Sequence, residues 1–196
     1  MNCPVPVINT KKILDEAKDD VLLVTVDNIP ARDNVRRFAQ SQGHSVEIED
    51  RGGGVYVLKI TVNPNSVGKS ARSMPSSNTT NIPAGSGLAV FITTDQLGVG
   101  DEQLGGILMK AFLNTLGDSE PKPERMIFIN NGVKLTTEGS EVIDSLKILE
   151  ERGVQIFVCG TCLNYYGILD QLRIGIVSNM FEIVNLLLDA SKLIKI

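Results

Sequence analysis

The segment Gln155-Ile156-Phe157-Val158-Cys159-Gly160-Thr161-Cys162-Leu163 passes from a run of strand character, through a turn holding two thiols, into a short helical stretch. The same rhythm repeats on both sides of it. Upstream, Leu88 to Thr93 reads as a short buried strand, Leu104, Ile107, Leu108, Ala111 and Phe112 as a helix face, and Met126 to Ile129 as the next strand. Val142, Leu146 and Leu149 mark another helix, Met180 to Leu188 a further one, and Leu193 to Ile196 a last strand. Alternation of this kind predicts a parallel sheet covered on both faces, with ligands beyond the carboxyl ends of its strands. Cys159 and Cys162 fall at such an end.

The C-x-x-C spacing brings the two thiols within reach of each other, and a helix start favours the thiolate, the nucleophilic form of cysteine. The bland alternative is a buried turn of small residues. A structural zinc site needs four nitrogen or sulfur ligands, and the chain has three cysteines and one histidine, so no metal is implied. Asp95, Asn130 and Asn131 also follow strand ends and could line the same crevice, although Asn and Asp serve equally as helix caps and turn formers. Gly98-Val99-Gly100 with Gly105 and Gly106 has the wrong spacing for a dinucleotide loop, and no cofactor is implied.

From Asn63 to Gly87 the sequence NPNSVGKSARSMPSSNTTNIPAGSG is rich in Ser, Asn, Gly and Pro and reads as a linker, 63–87, between domains at 1–62 and 88–196. Ahead of it, Val7, Leu14 and Ala17 share a helix face and Val21 to Val26 reads as a strand. Val35, Phe38, Ala39 and Gln42 mark a second helix that Gly43 closes, and a hairpin follows with Val46 and Ile48 on one arm and Tyr56, Leu58, Ile60 and Val62 on the other. This predicts a small two-layer α/β sandwich. His44, the single histidine, reads as an exposed structural residue at the end of the second helix.

Cys3 opens the first helix, because Pro4 suits a first helical position and puts the cysteine at or beside the N-cap. There the dipole stabilises a thiolate, while the alternative is again a small buried hydrophobe. A net charge of −4 without a basic stripe argues against nucleic acid. No run approaches the ~20 apolar residues of a membrane span, and the amino terminus lacks a signal-peptide h-region, so the expected location is the cytoplasm.

Cys3-Pro4-Val5-Pro6-Val7-Ile8-Asn9-Thr10-Lys11-Lys12, with Gly43-His44 downstream, resembles the TusA/SirA-like sulfur-carrier family and its C-P-x-P motif. VCGTCLNYYG at Val158 to Gly167 resembles the DsrE/DsrF-like family, and the fusion is similar to YedF-type sulfurtransferase-like proteins associated with selenium metabolism. The resemblance implies a TusA-like sandwich, here short of the strand that ordinarily precedes the Cys-Pro, joined to a DsrE-like α/β/α domain. It further implies a persulfide carrier or relay for sulfur or selenium, with Cys3 as one acceptor and Cys159 or Cys162 as a second. Donor and acceptor proteins would be its partners, and association into a homo-oligomer is expected. Two other readings stand beside it: a dithiol–disulfide redox or sensing pair at Cys159 and Cys162, and a non-catalytic interaction module.

Overall fold

The computed structural model describes residues 5–16, 21–63 and 87–196. Cys3, Ala17 and most of the 63–87 segment lie outside the described residues. The chain divides into two compact units, Met1–Asn81 and Ile82–Ile196.

In the first unit, helix α1 (Val5–Glu16) is followed by strand β1 (Val21–Val26), helix α2 (Ile29–Ser41) and the strands β2 (Ser45–Asp50) and β3 (Tyr56–Thr61). Helix α2 starts where Asn28 Oδ1 accepts the Ala31 N–H at 2.8 Å and Pro30 occupies the first turn. It buries Ala31, Val35, Phe38 and Ala39, while Gln42 is an exposed C-cap residue and not part of that face. Gly43 follows with φ 84°, the left-handed conformation that ends helices. The sheet is antiparallel in the order β1-β3-β2, and its register sets Leu22 and Val46 beside Ile60, and Val24 and Ile48 beside Leu58. Leu58 and Ile60 are fully buried beneath the helices, whereas Leu23, one residue out of phase, is exposed.

His44 departs from its expected exposure. It is 7% exposed, and its Nδ1 accepts the Asn63 N–H at 3.2 Å, which ties the end of α2 to the residue after the hairpin. The reason is register: Gly43 reverses the chain so tightly that the next side chain points inward.

In the second unit the order is β4 (Leu88–Ile92), α3 (Glu102–Asp118), β5 (Arg125–Phe128), a 3-10 segment Asn130–Thr136, α4 (Ile143–Glu151), β6 (Gln155–Cys159), α5 (Gly160–Tyr166), β7 (Ile176–Ser178), α6 (Met180–Leu188) and β8 (Lys192–Lys195). All pairings are parallel, in the order β7-β6-β5-β4-β8. Stepping from β4 to β5 to β6 in one direction with right-handed crossovers puts α3 and α4 on one face, where they pack together. The return from β7 to β8 carries α6 across the other. Phe128 and Phe157 are fully buried in the core, each worth about 1.5–3 kcal/mol of burial.

The face of α3 is not the one its hydropathy suggests. Gly105, Met109, Leu113 and Leu116 are buried, while Leu104, Ile107 and Leu108 are exposed, Ala111 is exposed and Phe112 is half-buried. Glycine on the inner face carries no hydropathy signal, so the pattern points to the wrong side of the helix.

Burial holds the His44 imidazole below its ordinary range. A depressed folded value means that the unfolded chain takes up the proton first as pH falls, so the first unit loses stability below roughly pH 6.5. The melting midpoint of that unit is expected to fall on acidification in the full chain, and to fall less in His44→Asn, which keeps an acceptor near Nδ1 but does not titrate. Equal falls in both proteins would assign the effect to other groups.

Candidate functional site

Parallel pairing of β5 with β6 sets Phe128 beside Val158, so the chain leaves both strands at the same edge of the sheet. From β6 it enters α5 directly, with Cys159 as N-cap and Cys162 in the first turn. From β5 it passes through Ile129, whose N–H donates to Ile92 O at 2.9 Å, into the 3-10 segment. Gly132 allows this segment to sit against the end of β4, because a Cβ there would lie 2.6 Å from Ile92 O.

These two exits meet at sulfur. The Asn130 N–H donates to Cys162 Sγ at 3.1 Å, and the Cys159 thiol lies near enough to the same sulfur for each to influence the other's ionisation. The Cys159 S–H, and then the Asn130 N–H, hold Cys162 down to about 6 against its own half-burial, which acts in the opposite sense. Cys159 is only 1% exposed, and its contact with Cys162 and its burial push its thiol up, so it keeps its proton. The arrangement favours the thiolate at Cys162 and the neutral thiol at Cys159.

Around the pair, Tyr166 Oη lies 2.9 Å from Asn130 Oδ1 and 2.6 Å from Asn131 Oδ1. Lys134 Nζ sits 5.0 Å from the Tyr166 ring centroid and 3.9 Å from Asp95 Oδ2. Of the strand-end residues, Asn130 thus meets the C-x-x-C directly, Asn131 joins it through Tyr166, and Asp95 is linked only through Lys134. Tyr166 and Lys134 were not identified from the sequence. The available signal was the four-residue spacing of Cys162 and Tyr166, which places both on one face of a helix. Tyr166, Lys134 and Asp95 also form part of the wall of an open cleft of about 690 Å³.

The end of β4 is closed, since Thr93 N–H and Oγ1–H both donate to Ile196 O at 2.8 Å. The thiol pair lies instead at the ends of β5 and β6, away from the point where strand order reverses between β4 and β8. Among the described residues no three His, Cys, Asp or Glu side chains group as a metal site. No helix among them is long and apolar enough to cross a membrane.

Residues 1–62 match the family Sulfurtransferase TusA, and residues 107–196 match the DsrE/DsrF-like family. The chain thus carries matches to two families, neither of which spans half of it. The TusA match includes Cys3, and the DsrE/DsrF-like match includes every residue of the thiol site except Asp95. A candidate sulfur carrier protein, MJ0990 of Methanocaldococcus jannaschii, is 43% identical over 49 residues, which is 24% of this chain. The chain spans 65% of that relative's length. Two solved structures are similar to it. A protein of unknown function, MTH1491 from Methanobacterium thermoautotrophicum, has 22% identity and a TM-score of 0.42 over 56% of this chain and 97% of its own. The ychN protein from E. coli has 19% identity and a TM-score of 0.44 over 55% and 97%.

Iodoacetamide labelling read peptide by peptide is expected to modify Cys162 with a midpoint at about 6, well below the ~8.5 of a free thiol, while Cys159 stays unlabelled in the folded protein. Labelling of Cys159 ahead of Cys162 would reverse the assignment.

Proposed function

We propose that the chain is a persulfide relay in which Cys162 receives a sulfane sulfur and passes it on. The observation that carries this reading is the partly exposed Cys162 sulfur, which accepts the Asn130 N–H where the chain leaves β5 and β6 and where the thiolate is favoured. The TusA match and the similarity to a candidate sulfur carrier support it.

The Cys162 thiolate attacks the terminal sulfur of a donor persulfide. The donor S–S bond breaks, a Cys162–S–SH persulfide forms, and the donor thiolate leaves with the electron pair. An acceptor thiolate then attacks the terminal sulfur of the Cys162 persulfide, and the Cys162 thiolate departs. Nothing is oxidised or reduced overall. Cys3, the cysteine of C-P-x-P, is the second station of the relay, and sulfur donor and acceptor proteins are the partners. Selenium is the alternative cargo, carried by the same displacement with selenium in the terminal position. The relay works in the cytoplasm, whose reducing conditions would keep thiols of this kind free. Copies of the chain associate, a point that light scattering decides.

The C-x-x-C spacing, with both thiols free, favours a second reading, a dithiol–disulfide pair. Exposure to a persulfide donor followed by peptide mass spectrometry separates the two. The relay predicts a gain of one sulfur on the Cys162 peptide in the wild-type chain and in Cys159→Ser, whose hydroxyl preserves a donor, and its loss in Cys162→Ser. The redox pair predicts a reversible Cys159–Cys162 disulfide and no stable persulfide on either peptide. Label on neither Cys3 nor Cys162 would end the relay reading.

A further inference from the structure

Asn130 is the one non-glycine residue among those described with a positive φ, at 50°. Asparagine enters this left-handed region more readily than most residues, yet it does not prefer it, so something must hold it there. The conformation has a direct consequence, because it turns the Asn130 N–H onto Cys162 Sγ. What holds it is its own side chain. Asn130 Oδ1 and Asn131 Oδ1 both face the Tyr166 hydroxyl, and Tyr166 stands one helical turn beyond Cys162 on α5.

The helix that carries the nucleophile therefore also carries the group that aims a donor at it. The phenol has one proton and lies within hydrogen-bond distance of both amide oxygens, so it serves the two asparagines as a shared donor. Both asparagines are then tied to one hydroxyl. Lys134, over the ring face and paired with Asp95, fixes the ring from its other side.

We propose that Tyr166 is a positioning residue for Cys162: its hydroxyl clamps Asn130 in the left-handed conformation that directs the Asn130 N–H at the sulfur. The clamp rests on the reading of Cys162 as the relay's nucleophile for its purpose, but not for its test, which observes the sulfur itself.

The pH profile of Cys162 alkylation, followed on its own peptide in the full chain, reads the clamp. Tyr166→Phe keeps the ring, its edge contact with Tyr165 and the cation above it, and loses only the hydroxyl. Asn130→Gly keeps the left-handed conformation accessible and loses the clamped side chain. Each is expected to move the profile upward by about half to one pH unit, a roughly three- to tenfold slower reaction on its acid side. The double variant moves no further than either single one, because both act through the same bond. Tyr165→Phe, at an exposed neighbour, leaves the profile in place. A Tyr166→Phe profile that overlays the wild type, or shifts that add in the double variant, would overturn the clamp. If the profile moves as expected while persulfide fails to load on wild-type protein, the clamp stands and the relay falls; if loading succeeds and the profile does not move, the reverse holds.

Discussion

The hydrogen bond from the Asn130 backbone to the Cys162 sulfur is the constraint on which the second unit's design turns. It joins the exits of two parallel strands, so it exists only if β5 and β6 end level, as the pairing of Phe128 with Val158 ensures. It also requires the chain beyond β5 to stay close to the sheet. Gly132 permits that by approaching the Ile92 carbonyl more closely than any side-chain-bearing residue could. The buried phenylalanines of β5 and β6 then do indirect chemical service, because they fix the two strand ends between which the sulfur sits.

The two thiols of the C-x-x-C differ through position alone. Cys159 ends the strand and is enclosed by the core, where a negative charge is costly, so it remains protonated. Cys162 lies in the first turn of α5, partly open to solvent, and accepts the Asn130 N–H. Burial thus keeps the proton on one sulfur while the backbone favours charge on the other. Both differences arise from the fold, so the order of the two cysteines in the sequence does not reveal them.

Strand positions were legible because β4, β5 and β6 are short apolar runs bounded by breaks, and the parallel sheet followed from their alternation with helices. The three-residue strand β7 was too short to produce a signal, and the inner face of α3 was hidden by glycines that pack without being hydrophobic. His44 was misjudged because helix-end arguments describe the backbone and say nothing of where the next side chain points. At the site, cysteine chemistry and the strand-end asparagines were visible as residue types. The Tyr166 clamp was not, since it depends on a backbone angle at Asn130 that no local pattern announces.

The choice of donors bears on what such a thiol can do. Among the described residues no histidine or charged group is seen hydrogen bonded to Cys162; the donor it has is the Asn130 backbone amide. A cation could lower the thiolate's energy further, but nucleophilicity falls with pKa, and the best attacking thiol is one whose pKa lies near the ambient pH. A sulfur brought to about 6 is ionised at neutral pH while giving up little reactivity. In the proposed relay the same property would make it a good leaving group when an acceptor attacks a Cys162 persulfide, because thiols of lower pKa depart faster. Such a relay performs both steps with one atom, and moderate stabilisation without a cation would serve accepting and releasing alike.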